Sequence, residues 1–358
     1  GSRPFYLGSG QMAAPRDMVR RDLEMVLKAS RQLDVPLIIG SAGTAGAKPH
    51  LEETLSLLKE VADANGLSFS VAIVLSDVPR NLLIKAIQHG RLKSLDESGA
   101  SLNLPLPNEE KVMSAGHIVA QCGTHTFMKA LAQKPDVLIA GRSCDTAIFA
   151  ALPQMLGYDA GLSLHMAKII ECTSLCCTPG GRDAILAELG EFDFFLESMN
   201  PAAHATPASV AAHALYEQSN PWIVEEPEGT LHLKQASYLA LDSHRTQVSG
   251  AQFVPRSSPT LKVEGASHTG ARAVLLAGVA DPTMISIMPS ALLEVSERVR
   301  KLVPGEWTMV PHLYGQGAVR ELAQAKRSLH EIGLVIEFLA PHAAMAKTAA
   351  AVFKQNLL

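Results

Sequence analysis

The stretch VLIAGRSCDTAIFAAL (137–152) changes character in its middle. It opens as four apolar residues, as in a buried strand, and closes as a helix. The joint between them holds Gly141, Arg142, Ser143, Cys144, Asp145 and Thr146. A helix N-terminus presents unpaired backbone N–H groups and favours negative charge. Arg142 adds a planar, two-pronged donor suited to a carboxylate or a phosphate. Ser143 and Thr146 add hydroxyls. Asp145 has three readings: a helix cap, an orienter of Arg142, or a general base. Cys144 stands where a helix N-terminus would lower a thiol's pKa.

Three other stretches carry similar chemistry. GSAGTAG (40–46) offers Gly43 and Gly46 for close backbone approach and Ser41 and Thr44 as hydroxyl donors. QCGTHT (121–126) contains His125, and SDVPRN (76–81) contains Asp77. A helix expected over 163–175 carries His165, Lys168 and Glu171 three residues apart, which reads as an acid–base strip on one face. Its surroundings, MAKIIECTSLCC, are apolar and cysteine-rich, so the strip is expected to be largely buried. Desolvated Lys and Glu have shifted pKa values, as catalytic groups do. The catalytic candidates are therefore Asp145, His125, Lys168 and Glu171. The substrate-binding candidates are Ser41, Gly43, Thr44, Gly46, Gly141, Arg142, Ser143 and Thr146.

These groups need a scaffold that brings loops to one rim. Short apolar runs at Val35–Gly40, Phe69–Leu75, His117–Gln121 and Val137–Ala140 read as strands, and helical spacing lies between them. Strand–helix alternation predicts a doubly wound, mostly parallel α/β sheet, whose ligands bind beyond the carboxyl ends of the strands. After about residue 180 the texture becomes mixed. Helices are expected over 206–218, 289–303 and 342–356, with strands among 185–197, 259–281 and 333–341. The reading is an α/β, Rossmann-like domain over 1–180 and a smaller α+β domain over 181–358.

The glycines of 40–46 are spaced G-x-x-G-x-x-G, not G-x-G-x-x-G, which argues against NAD, and no P-loop follows. The sequence leaves Mg²⁺ open as a cation joining Asp77 and Asp145, and no metal ligand set is assigned. With 31 Lys and Arg against 35 Asp and Glu, the net charge of -4 leaves no footprint for nucleic acid. No apolar run reaches a membrane-spanning length. The five cysteines, with Cys176 and Cys177 adjacent, read as reduced thiols in a cytoplasm.

Taken in order, GSAGTAG, VLIAGRSCDTAIFAALP, HMAKIIEC, TPASVAAHALYE and RTQVSGAQFVP followed by TLKVEGA resemble the acyclic terpene utilisation A (AtuA-like) family. The likeness spans roughly residues 35–345. The family's G-R-[ST]-x-D-T pattern matches Gly141, Arg142, Ser143, Asp145 and Thr146, and no catalytic role transfers with it. Family members have a glycine-rich N-terminal stretch that YLGSGQ (6–11) echoes loosely. Relatives continue past the position of Leu358, so a missing tail is one expectation. The resemblance implies a bacterial, cytoplasmic, catabolic protein working near short branched acids or their CoA esters.

The functional expectation is an enzyme of lyase, hydratase or isomerase type. It would hold a carboxylic acid or CoA thioester at Arg142 and the amides of 41–46, and move protons with Asp145, His125, Lys168 or Glu171. The alternative is a non-catalytic subunit that binds the acid or acyl-CoA, or scaffolds a partner enzyme. A third reading is a nucleotide-dependent transferase using 40–46 for phosphate. The expected partners are a small anionic or acyl-CoA ligand, a second copy of the chain in a homo-oligomer, and a small partner subunit.

Overall fold

The computed structural model describes residues 3–94, 105–215, 220–319 and 329–357. They form two compact units, Gly1–Ser267 and His268–Leu358.

The first unit opens with helices α1 (Pro4–Ser9) and α2 (Arg16–Leu33), strand β1 (Leu37–Ile39), helix α3 (Lys48–Asn65), strand β2 (Val71–Val74) and helix α4 (Arg80–Gln88). Helix α3 stops at Gly66, whose φ of 61° closes it in the left-handed region. Then follow α5 (Glu109–Ser114), β3 (Ala115–Ala120), α6 (Thr124–Leu131), β4 (Val137–Ala140), α7 (Asp145–Met155) and α8 (Ala160–Ile170).

Strands β1, β4 and β2 make a parallel sheet in that order, with β4 central. All four residues of β4 are buried. Val137 and Ile139 pack with Leu23, Leu27, Leu57 and Val61 of α2 and α3. Leu138 and Ala140 pack with Phe127, Leu131, Ala147 and Ala151 of α6 and α7. The period of two thus sends alternate residues into two apolar layers, and each large one contributes about 1.5–3 kcal/mol of burial.

Among the described residues no other strand pair is parallel, the isolated bridge Cys122–Ser143 aside, which corrects the expected mostly parallel sheet. Strand β3 pairs antiparallel with β12 (Val263–Ser267), far along the chain. Sequence pattern marks a strand but not its partner, and an apolar run of this length suits either pairing.

The texture change near residue 180 is a change in pairing within the first unit. Strands β5 (Ile185–Leu189) and β6 (Asp193–Ser198), helix α9 (Pro207–Ala214), and strands β7 (Ile223–Glu226), β8 (Gly229–His232), β9 (Ser237–Ala240), β10 (Arg245–Ser249) and β11 (Gln252–Pro255) form two antiparallel sheets, β5-β6-β10-β9 and β11-β8-β7. Thr206 caps α9 through a reciprocal bond with Ser209, and Pro207 fills the first helical turn. Helix α8 lies among these layers with every residue from Gly161 to Ile170 buried.

The second unit is β13 (Ala271–Val279), α10 (Pro282–Leu302), β14 (Thr308–Tyr314), β15 (Ile332–Ala340) and α11 (Ala343–Leu357). Its antiparallel sheet runs β13-β15-β14, with both helices packed on Ile336 and Phe338 through Met288, Leu292, Ala349 and Phe353. Helix α10 begins seven residues before its expected start. Asp281 caps it by accepting from Met284 N, and Pro289 is carried inside. Among the described residues no helix is long and apolar enough to cross a membrane.

Candidate functional site

Four loops converge at the carboxyl end of β4. Ser41 N donates to Gly141 O at 2.9 Å and Arg142 N to Gly46 O at 3.0 Å. Ser76 Oγ donates to Arg142 O at 2.8 Å. Cys122 N donates to Arg142 O at 3.1 Å, and Cys144 N to Cys122 O at 2.9 Å. The segments 40–46, 76–78, 121–123 and 141–144 therefore share one rim. Glycine makes this possible: a Cβ on Gly46 would lie 2.1 Å from Arg142 N, and one on Gly141 would lie 2.5 Å from Gly46 O. Ser41 and Thr44 hold left-handed φ values of 47° and 77°. For a β-branched threonine that is a strained backbone, fixed here by its surroundings.

The amides of 41–46, expected to cradle an anion, are mostly spent within the loop cluster. Besides Ser41, Ala42 N donates to Ala140 O, Thr44 N to Ser41 O and Gly46 N to Ala42 O. A buried N–H needs a partner, and a loop packed this closely supplies its own carbonyls. The loop serves as a wall that supports Arg142, and that corrects its assignment as an amide cradle.

Arg142 is 5% exposed. Its Nε donates to Glu264 Oε1 at 3.3 Å and its Nη1 to Ser41 Oγ at 3.1 Å. Asp145 Oδ1 is 4.0 Å from Nη1. Gln121 Nε2 also donates to Glu264 Oε1, at 2.7 Å. Glu264, with the exposed Asp145 carboxylate 4.0 Å away, thus already offsets the guanidinium charge, which weighs against the expectation that Arg142 holds a substrate carboxylate. Nη2 has no partner among the described residues, so the group still offers two N–H donors with little net charge behind them.

Asp145 is the first residue of α7, exposed, and its role is beside Arg142; the N-cap is Cys144. Asp77 caps α3 by accepting from Lys48 N at 3.2 Å. Among the described residues no group of three or more His, Cys, Asp or Glu is placed to hold a metal ion.

A second cluster adjoins the start of α7. The β7–β8 hairpin turns through Pro227 and Glu228 and carries two glutamates into the interior. Glu226 is 4% exposed and Glu228 8%. Glu226 Oε2 accepts from Thr146 Oγ1 at 2.8 Å and from Cys144 Sγ at 3.3 Å. Glu228 Oε1 accepts from His125 N at 3.1 Å, at the positive end of α6. The contribution of His125 is this amide; its side chain is exposed.

Burial pushes the Glu226 carboxyl up to about 7, and the charges of Glu171 and Glu228 push the same way against the two hydrogen bonds. Burial and the neighbouring Glu226 charge push the Cys144 thiol far above its ordinary range. Cys144 is therefore a protonated donor to Glu226, which corrects its reading as a reactive thiol.

Lys168, buried, and Glu171, half-buried, pair with each other at the end of α8. His165 does not join them. It packs edge-on to Phe194, its Nε2 lies 3.1 Å from the Tyr238 hydroxyl, and burial lowers its pKa to about 4. Steps of three residues turn by about 300°, so His165 and Glu171 diverge by about 120° and leave the shared face.

The sequence reading missed Glu226, Glu228 and Glu264. A signal for Glu226 exists: in Ile223–Glu226 the period of two puts Glu226 on the face of buried Val224. The end of the helix expected over 206–218, with Tyr216 and Glu217, lies outside the described residues.

The fold and this rim define a mixed α/β protein with an embedded arginine and a buried, neutral-range carboxyl at the start of one helix. The profile of the acyclic terpene utilisation family protein AtuA matches residues 16–181 and 196–358, and the chain belongs to that family. No curated protein matches the chain, and no solved structure does.

Proposed function

We propose that this is an enzyme of lyase, hydratase or isomerase type that moves a proton on a short or branched carboxylic acid bound as its CoA thioester, with Glu226 as the acid–base group. One observation carries this reading: a buried carboxyl, held by Thr146 and Cys144, titrating near neutrality. General acid–base groups work best with a pKa near the working pH, and such groups contribute about 10²–10⁴-fold.

Arg142 supports the thioester over the free acid. A guanidinium already balanced by Glu264 and Asp145 gains little from a second negative charge. Its Nη2 N–H groups suit a neutral carbonyl whose oxygen gains charge as a proton leaves the adjacent carbon. The charge of Glu171, itself paired with Lys168, adds to the upward push on the Glu226 carboxyl. Membership of a family named for terpene utilisation suits branched acids. Five cysteines with no disulfide among them suit a cytoplasmic setting.

The test is hydrogen exchange in D₂O. A panel of short and branched acyl-CoA thioesters and their free acids is incubated with the protein, and deuterium at the carbon beside the carbonyl is read by mass spectrometry. Exchange on a thioester that Glu226→Gln lowers about 10²-fold or more is expected. Exchange unchanged in Glu226→Gln removes Glu226 from the role. Tight thioester binding without exchange or turnover makes the protein a non-catalytic acyl-CoA-binding subunit.

A further inference from the structure

A cavity of about 260 Å³ opens between α4, α5 and the β3–β12 ribbon. Its walls are apolar: Leu83, Val112 and Ile118 are buried, and Val263 closes the back. Leu106, 48% exposed, stands at the mouth. Alternation along β12 turns Val263, Gly265 and Ser267 into the cavity and Glu264, which holds Arg142, to the opposite face. The cavity is therefore separate from the rim at β4.

Two cations also line it, Lys93 and Lys111. Neither is in an ion pair among the described residues. No carboxylate is among the described lining residues. Glu109, on the helix that carries Lys111, is engaged by Gln88 Nε2 at 2.8 Å. A half-open apolar cavity with two lysines in its lining, and no carboxylate among the described lining residues, suits a molecule with an apolar chain and an anionic head. At about 30 Å³ per water, the volume takes roughly nine small groups, the size of a medium-length chain.

We propose that this cavity binds the chain of a small amphipathic anion, with Lys93 and Lys111 meeting its head. The proposal is independent of the role of Glu226, because the two sites share no residue.

Glycine gives a clean way to fill the cavity. A Cβ on Gly265 would meet Ile118 Cγ1 at 3.6 Å and Ala115 Cβ at 3.9 Å, which is ordinary contact. Gly265→Leu therefore leaves the strand intact and occupies the space a chain would take. The probes are decanoate, decyl phosphate and decanol, each below its aggregation limit, titrated by calorimetry into the whole protein. The expected result is saturable binding of at least one anion, about fivefold tighter than decanol. Gly265→Leu should weaken it about tenfold or more while the thermal midpoint stays or rises. Lys93→Gln with Lys111→Gln should remove the preference for the anion and leave decanol binding as it was. The two anions distinguish a carboxylate head from a phosphate head. No saturable binding by any probe overturns the proposal, as does binding that Gly265→Leu leaves unchanged.

Discussion

The hydroxyl of Thr146, in the first turn of α7, donates to Oε2 of Glu226, at the end of β7, across 2.8 Å. That bond ties the helix after the central parallel strand to a hairpin 80 residues further along the chain. It also fixes a carboxyl whose folded-state pKa of about 7 is above its ordinary 4.5. Below about pH 4.5 both folded and unfolded chains hold this proton, and the group has no effect on stability. Between that pH and about 7 the unfolded chain loses its proton first, so stability falls as pH rises. The loss is complete above pH 7 and amounts to about 3 kcal/mol. Gln keeps an oxygen for Thr146 and carries no charge. Glu226→Gln is expected to raise the thermal midpoint by about 5–10 °C at pH 8 and by little at pH 5. Equal shifts at the two pH values, read by differential scanning fluorimetry, would show that Glu226 does not carry this dependence.

Thr146→Val tests the same bond from its other end. Thr146 is 3% exposed, and valine fills its space without a donor. Charged Glu226 then keeps only the weaker thiol of Cys144. The expected cost is about 1–3 kcal/mol at pH 8 and less at pH 5, where the carboxyl is protonated. Chemical denaturation at both pH values measures it. A cost that is larger at pH 5 would reverse the assigned direction of the bond.

The short apolar runs and their breakers made the parallel layer readable, since Val35–Gly40, Phe69–Leu75 and Val137–Ala140 all contain strands that pair. The convergence of 40–46, 121–126 and 141–146 also follows from strand ends meeting at one rim. What local pattern does not encode is pairing at a distance. Glu264 reaches Arg142 through the antiparallel β3–β12 ribbon, and Glu226 reaches Thr146 through a hairpin. A charged residue in a strand reads as solvent-facing until its partner across the fold is known. The same blindness made the 40–46 loop look open, although its amides are satisfied by neighbours that only the folded chain supplies.

Arg142 and Glu264 form a pair with side chains 6% and 15% exposed. Removing one partner leaves the other charge desolvated, at a cost of about 3–5 kcal/mol. Arg142→Ala is therefore expected to lower stability strongly, and lost activity in it would not isolate a catalytic role. Arg142→Met with Glu264→Gln should recover part of the loss. A double-mutant cycle by urea denaturation reads the coupling, expected at about 0.5–3 kcal/mol. Additive costs would mean that the pair is not energetically joined.

Two glycines test whether the loop at 40–46 is a wall held by close packing. Gly46 and Gly66 have similar left-handed φ values, 70° and 61°. Alanine at either position therefore carries a similar backbone cost, about 1 kcal/mol. Their surroundings differ. A Cβ at Gly66 meets nothing within 4 Å, whereas one at Gly46 would lie 2.1 Å from Arg142 N and 2.5 Å from its Cα. Backbone cannot rotate away as a side-chain tip can, so Gly46→Ala must push 40–46 off 141–143. Gly66→Ala is expected to cost about 1 kcal/mol. Gly46→Ala should cost several times that, with the overpacking added to the strain. The displacement also separates Ser41 from Arg142, so Gly46→Ala should weaken thioester binding while Gly66→Ala leaves it unchanged. Denaturation curves and calorimetry on the pair decide the matter, and equal costs in the two variants would mean that the close approach of Gly46 to Arg142 does not govern this rim.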